Sequence, residues 1–313
     1  MLKKAGFVLV VAVLALLIVP VLITLSSPPE QRSLLGASLT TLKYEEVRFS
    51  NDEQGIELAG MLFVPEGEGP FPAVVIIHGS GTSIRDNPWY LTLTSYLQQQ
   101  GVGVLLPDKR GSAASGGDWR SSSLEDLATD TLAALDYLRG QDWIDISQIG
   151  IIGMSQGGQI APVVAATSTE LDFIVNVVGS SLPIYDVLLY EETNNLREIG
   201  FLPGVADLIA YPSTFVLREF SQQEFWDAVG NFDPLPYWRE IELPILVLYG
   251  SEDTNVPSEV SKARLEALDK ENIEVRIYAG SGHALEDPPG MGSSFFREDA
   301  LSDIERFISQ QAE

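Results

Sequence analysis

The sequence predicts an α/β fold: a mostly parallel, twisted sheet with helices on both faces, a helical lid inserted late in the chain, and a transmembrane helix at the N-terminus. Three observations carry this. Short, continuous apolar runs of strand length recur along the chain, as strands buried on both faces of a parallel sheet require. Stretches of helical period separate them, and such alternation builds a parallel sheet. One uncharged apolar run at the N-terminus is far longer than the rest.

That run covers residues 6–25 and follows Lys3 and Lys4. A helix of about 20 apolar residues crosses a bilayer core, and the kink expected at Pro20 is one that membrane helices accommodate. The positive-inside rule keeps Lys3 and Lys4 in the cytoplasm, which would put the rest of the chain outside. A cleaved signal peptide is the competing expectation. It fits less well, because its apolar region is about 7–15 residues long and Thr24-Leu25-Ser26-Ser27-Pro28-Pro29 offers no small-x-small site. A buried soluble helix fits poorly, since the run has no polar face. Residues 1–25 are therefore expected to be an anchor or signal sequence, 26–43 a linker rich in Ser and Pro, and 44–313 one domain.

From Tyr44 onward, residues 45–49 and 56–64 read as two strands joined by a turn at 51–55. Apolar runs at 73–77, 103–106, 149–152, 173–178, 245–249 and 275–278 read as further strands. The clearest helix carries Leu124, Leu127, Ala128, Thr131, Leu132, Leu135 and Leu138 on one stripe, with Ser122 and Glu125 as its expected capping box and Gly140 as its stop. Other helices are expected over 88–100, after Pro257 with Val260, Ala263 and Leu268 inward, and over 295–308. Residues 184–233 break the alternation, being too long for one crossover helix and rich in aromatic residues. They are expected to form a helical lid over the end of the sheet where ligands bind.

Composition narrows the function. Hydrophobic residues make up 45% and charged residues 20%, a globular profile. The net charge of −25 repels phosphate backbones and excludes nucleic acid as a natural partner. Cysteine is absent, so there is no thiolate nucleophile, thiolate metal site or disulfide framework. The two histidines, His78 and His283, must supply any imidazole chemistry.

Gly153-Met154-Ser155-Gln156-Gly157 matches the G-x-S-x-G nucleophile elbow and sits between a strand and a plausible helix, the setting this motif needs. Pro162 is a blemish in that helix. A serine hydroxyl needs a base to take its proton. His283, in the glycine-rich loop Gly280-Ser281-Gly282-His283 after the last predicted strand, is the expected base. Asp253 in Gly250-Ser251-Glu252-Asp253 is the expected orienting carboxylate, with Glu252 as the alternative. His78 opens His78-Gly79-Ser80-Gly81, where an oxyanion loop belongs, and so is expected to be structural. The backbone N–H of Gln156 and of Ser80, or of Gly81 in its place, would stabilise the developing negative charge.

These motifs, together with Asp108-Lys109-Arg110-Gly111, resemble the α/β-hydrolase superfamily, in particular its bacterial esterase-like and serine-aminopeptidase-like members, over residues 44–313. The resemblance implies a serine hydrolase that cleaves carboxylic esters through an acyl-enzyme on Ser155. Asp108 and Arg110 are read as structural. A peptidase acting on short peptides is the nearest rival; Glu191 and Glu192 could then hold a substrate amine, although a solvated helix face is the plainer reading. Acyl-thioester hydrolysis is a third reading. A non-catalytic binding module is a poorer one, because no triad residue is lost. No P-loop, G-x-G-x-x-G or H-E-x-x-H motif is present, and no cofactor is expected.

Overall fold

The computed structural model describes residues 33–221 and 223–311. The expected anchor over residues 1–25 lies outside them. Among the described residues no helix is long and apolar enough to cross a membrane.

Eight strands form one sheet: β1 (Glu45–Asn51), β2 (Ile56–Phe63), β3 (Phe71–Ile77), β4 (Gly103–Pro107), β5 (Ile144–Met154), β6 (Phe173–Val177), β7 (Ile245–Gly250) and β8 (Ile273–Tyr278). Their spatial order is β1-β2-β4-β3-β5-β6-β7-β8. β1 and β2 are antiparallel, as are β2 and β4, and from β4 to β8 every pairing is parallel. The C-terminal ends of β3 to β8 therefore share one edge. The loops that leave this edge carry all the residues singled out above for chemistry.

Alternation along the strands divides the core in two. Val75, Ile77, Ile149 and Ile151 face one side of the sheet, against α2 (Leu124–Arg139) and α3 (Gln156–Thr167). Val74, Ile76, Val104 and Ile152 face the other, against α1 (Pro88–Gln99) and the C-terminal helix (Glu298–Gln310). The central strands β3, β4, β6 and β7 are covered on both faces, which explains their unbroken apolar runs, whereas β1 at the edge alternates between buried and exposed residues.

Between β6 and β7 the chain forms α4 (Ile184–Glu198), α5 (Pro203–Phe220), α6 (Gln223–Val229) and α7 (Leu235–Glu240). The first two pack on each other through Leu196, Phe201, Ala206 and Ala210. Trp238 of α7 is fully buried in the core of the sheet instead. After β7 comes α8 (Ser258–Glu266), and the C-terminal helix is α9.

Two local expectations are corrected. The capping box of α2 is Ser123 with Asp126, one residue later than expected. Ser122 is engaged elsewhere: its Oγ accepts from Arg110 Nη1 at 3.0 Å and donates to the Asp118 carbonyl at 2.8 Å. In α8, Val260 and Ala263 face solvent, and Ser258, Ser261 and Leu265 are the buried residues. The inner face of α8 is polar because it meets other serines: Ser261 Oγ lies 3.2 Å from Ser180 Oγ, and Ser181 Oγ donates to the Ser261 carbonyl at 2.8 Å.

The loop after β4 is fixed by two arginines. Arg110 is 3% exposed and pairs with Asp130 through Nε at 2.6 Å and Nη2 at 2.8 Å. It also donates to Gln54 Oε1 at 2.7 Å and to the Asp126 carbonyl at 2.7 Å. Arg85 forks onto buried Asp108, with Nε and Nη2 at 2.8 and 2.7 Å. Removing one partner of a buried pair leaves the other charge uncompensated. Arg110→Met should therefore cost about 3–5 kcal/mol in urea unfolding; a loss below about 1 kcal/mol, the range of an exposed pair, would refute this account.

Candidate active site

Ser155 sits between β5 and α3 at φ 54° and ψ −120°, a conformation costly for a residue with a side chain. Its N–H donates to the Val177 carbonyl at 2.8 Å, and its own carbonyl accepts from Gly158 N at 2.8 Å. The turn closes only because Gly157 has no side chain: a Cβ there would overlap the Ile77 carbonyl oxygen. Pro162 is accommodated inside α3, which runs on to Thr167.

Ser155 and His283, 128 residues apart in sequence, meet with Ser155 Oγ 3.0 Å from His283 Nε2. His283 Nδ1 lies 2.8 Å from Asp253 Oδ2. A carboxylate only accepts, so the proton of a neutral imidazole sits on Nδ1 and Nε2 accepts from the serine hydroxyl. Asp253 is 3% exposed. Its Oδ1 accepts from the N–H groups of Asn255 and Val256 at 2.8 and 2.9 Å, and its backbone carbonyl accepts from Tyr190 Oη at 2.8 Å. Glu252, the alternative carboxylate, is exposed and accepts from Ser251 Oγ, so it has no part in this cluster. Trp89 packs beside His283, with ring centres 5.7 Å apart, and donates from Nε1 to the Ala284 carbonyl.

Ser155, His283, Ser80, Gly81 and Gln156 all line one cavity of about 400 Å³. Gln156 is the first residue of α3, where a backbone N–H has no partner within the helix. His78 is 8% exposed, with Nε2 2.7 Å from the Pro107 carbonyl and its ring against Tyr90. Burial lowers its pKa to about 4, which keeps it neutral near pH 7. Its ring thus ties the start of the loop that carries Ser80 to the end of β4.

Two features depart from the sequence reading, the first not anticipated and the second given there only as the less plain alternative. Lys109 is buried, and its Nζ donates to the Gly79 carbonyl at 2.9 Å and to Gln156 Oε1 at 3.0 Å. It also lies 5.2 Å from the centre of the Trp119 ring. Burial pushes its pKa down to about 7. One ammonium thus ties together the two loops that supply Ser80 and Gln156. Its position between Asp108 and Arg110 was visible in sequence, but its inward direction was not.

The second feature is the acidity of the cavity. Glu191 and Glu192 of α4 both line it, which corrects the expectation of a solvated helix face, and among the described residues no lysine or arginine joins them there. Glu192 accepts from Ser213 Oγ. Burial raises the pKa of Glu191; His283 opposes this, while the carboxylates of Asp253 and Glu192 add to it. Ile184, Val187, Leu188, Phe225 and Trp226 give the same cavity an apolar wall. Among the described residues no group of His, Asp and Glu is arranged to hold a metal ion.

This arrangement has counterparts among known proteins. Esterase EstD of Thermotoga maritima is 23% identical over 285 residues, covering 84% of this chain and 68% of that protein. The human acylamino-acid-releasing enzyme is 24% identical over 263 residues, 78% of this chain but 34% of that protein. The chain thus spans about a third of that longer relative. Among solved structures, the Pyrococcus furiosus esterase Pf2001 superposes with a TM-score of 0.62 at 21% identity, over 89% of this chain and 96% of that one. The model of the prolyl oligopeptidase family matches residues 88–313, well over half of the sequence, and the chain belongs to that family of serine hydrolases, with an α/β-hydrolase fold.

Proposed function

We propose that the chain hydrolyses carboxylic esters through an acyl-enzyme on Ser155. The observation that carries this reading is the hydrogen-bonded run from Ser155 through His283 to Asp253 at the wall of a cavity that has both an apolar and a polar side. Ser155 Oγ attacks the acyl carbon while its proton passes to His283 Nε2. Asp253 holds the imidazole by its Nδ1 proton and stabilises the imidazolium. The carbonyl oxygen, now negative, turns toward the N–H groups of Gln156 and Ser80. His283 returns the proton to the departing alkoxide. A water molecule then repeats the sequence on the acyl-enzyme and releases the carboxylic acid. Residues 184–233 act as the lid, and Lys109 keeps the two oxyanion donors in register. The apolar run at 6–25 anchors the domain on the extracytoplasmic side of the membrane, with secretion after cleavage as the alternative.

Ester cleavage is preferred because the similarity to EstD spans most of both chains, whereas the longer acylamino-acid-releasing enzyme is matched over about a third of its length. The peptidase reading is kept for one reason: Glu191 and Glu192 give the cavity negative charge with no lysine or arginine beside them among the described residues, which suits a substrate carrying a free amine.

Ser155→Ala and His283→Ala should each lower kcat by a factor on the order of 10⁶, because triad members act as a unit. Asp253→Asn should cost roughly 10⁴-fold, and His78→Ala, once shown to be folded, should keep measurable turnover. Kinetics and fluorophosphonate labelling of the four variants check this; an inactive His78→Ala beside an active His283→Ala would overturn the assignment.

Lys109→Met fills the same space without the ammonium. It should lower kcat about 100-fold, the scale of losing one oxyanion donor, with KM little changed. A rise in KM at constant kcat would show that Lys109 shapes binding instead.

Glu191→Gln separates the two substrate readings. For a substrate with a free amine, KM should rise while a neutral ester is unaffected. The raised pKa of Glu191 means that its charge is lost, as pH falls, sooner than that of an ordinary glutamate. Preference for the amine should disappear over that interval in the parent enzyme and be absent throughout in Glu191→Gln. Equal treatment of both substrates at every pH would leave the ester reading alone.

A further inference from the structure

Helix α5 has two apolar faces. Ala206, Ala210 and Thr214 recur every four residues and are buried against the rest of the insertion. On the opposite side Leu208, Tyr211 and Phe215 recur at helical spacing and are 74%, 59% and 55% exposed. Phe220 extends the patch at 77% exposure, with its ring against Phe215. The charges of the helix are already neutralised in pairs, Asp207 with Arg197 at 2.7 Å and Arg218 with Glu219 at 3.6 Å. A helix that is apolar all round is a buried helix, and a contiguous exposed apolar patch marks an interaction site. The main helix contacts of α5 are with α4 and α6, and its outer face stays exposed among the described residues.

The chain outside the described residues indicates what covers it. Residues 33–38 run along the loops at the C-terminal edge of the sheet: Leu35 N donates to the Ser293 carbonyl at 2.6 Å, Phe295 N to the Leu35 carbonyl at 2.9 Å, and Ala37 N to Thr92 Oγ1 at 3.0 Å. The insertion lies over this same edge, since Tyr190 and Asn194 bond the loop after β7. Only residues 26–32 separate the apolar run from this point, and a fully extended chain bridges at most about 28 Å over that interval. If residues 6–25 span a bilayer, the edge that carries the insertion is held close to its surface.

We propose that the outer face of α5 docks into the interfacial layer of that bilayer, with Leu208, Tyr211, Phe215 and Phe220 among the acyl chains. The inference rests on the anchor reading of residues 6–25. The contact is one of apolar burial and not of charge: with a net charge of −25 the protein is repelled by anionic head groups, so the partner is a zwitterionic or neutral lipid surface. The consequence is orientation, because docking would turn the cavity wall built by α4 and α6 toward the membrane rather than the bulk solvent.

The absence of cysteine allows single labels on the full chain. Leu208→Cys, Phe215→Cys, Ile146→Cys and Ala15→Cys would each carry an environment-sensitive fluorophore, in phosphatidylcholine bilayers with and without acyl-brominated lipid. Ile146 serves as the distant control, exposed near the start of β5 at the opposite edge of the sheet. Labels at 208 and 215 should shift to the blue and lose most of their emission to the brominated lipid, as the label at 15 should, while the label at 146 stays unchanged. If 208 and 215 behave like 146 while 15 is quenched, the docking face is refuted and the anchor stands. If 15 is also unquenched, both fall. Shielding of 208 and 215 without quenching by lipid would assign the face to the N-terminal segment or a second copy and overturn the proposal.

Discussion

The turn at Ser155 is the constraint on which the site depends. A positive φ at a residue with a side chain costs about 1–3 kcal/mol and persists only when its surroundings determine it. Two strands do so here. β6 receives the Ser155 N–H through the Val177 carbonyl, β3 presses its Ile77 carbonyl into the space a side chain on Gly157 would need, and Asn176 of β6 does the same to Gly158. Asn176 is itself fully buried and bonds both the N–H and the carbonyl of Gly179. The serine is thus fixed relative to β3 and β6 before any contact with His283 is made. The same parallel register sends the loops after β3, β7 and β8 to the same edge, where Ser80, Asp253 and His283 are within reach.

Charge is distributed unevenly around that turn. On the cavity side the formal charges near Ser155 are the carboxylates of Glu191 and Glu192. Behind the turn, Lys109 bonds only neutral oxygens, those of Gly79 and Gln156. An ammonium with neutral partners is expensive to bury, and the fall of its pKa to about 7 expresses that cost. What it holds in return is the relative position of the two loops proposed to stabilise negative charge. A salt-bridged lysine at the same place would have its field cancelled by its partner.

Much of this was legible in the sequence because parallel strands buried on both faces leave unbroken apolar runs, and every such run became a strand. The order of motifs along the chain was equally readable, since each follows a strand and parallel strands bring their ends together. What the sequence concealed was direction. Val260 and Ala263 are apolar and suggested an inward stripe, yet α8 buries Ser258 and Ser261, because serines from the loop after β6 face it. Glu191 suggested a solvated face, yet the insertion folds back and turns it into the cavity. Lys109 stands between two residues held in ion pairs, Asp108 and Arg110, and nothing in its own side chain announces burial. In each case the partner comes from a distant segment, and local pattern carries no record of it.

The insertion is coupled to the carboxylate more than to the nucleophile. Tyr190 bonds the backbone carbonyl of Asp253, Asn194 bonds that of Thr254, and Glu191 faces the side chain of Asn255. The N–H groups of Asn255 and Val256 in turn hold Asp253 Oδ1, leaving Oδ2 for His283. A shift of α4 therefore reaches His283 through the orientation of a buried carboxylate, while Ser155 stays fixed by the sheet. Because α4 also carries Glu191 and Glu192, the surface proposed to meet the substrate is hydrogen-bonded to the loop that holds Asp253. The insertion belongs to the proposed catalytic geometry for that reason, and a substitution on the buried side of α4 should act on His283 through Asp253 without touching Ser155.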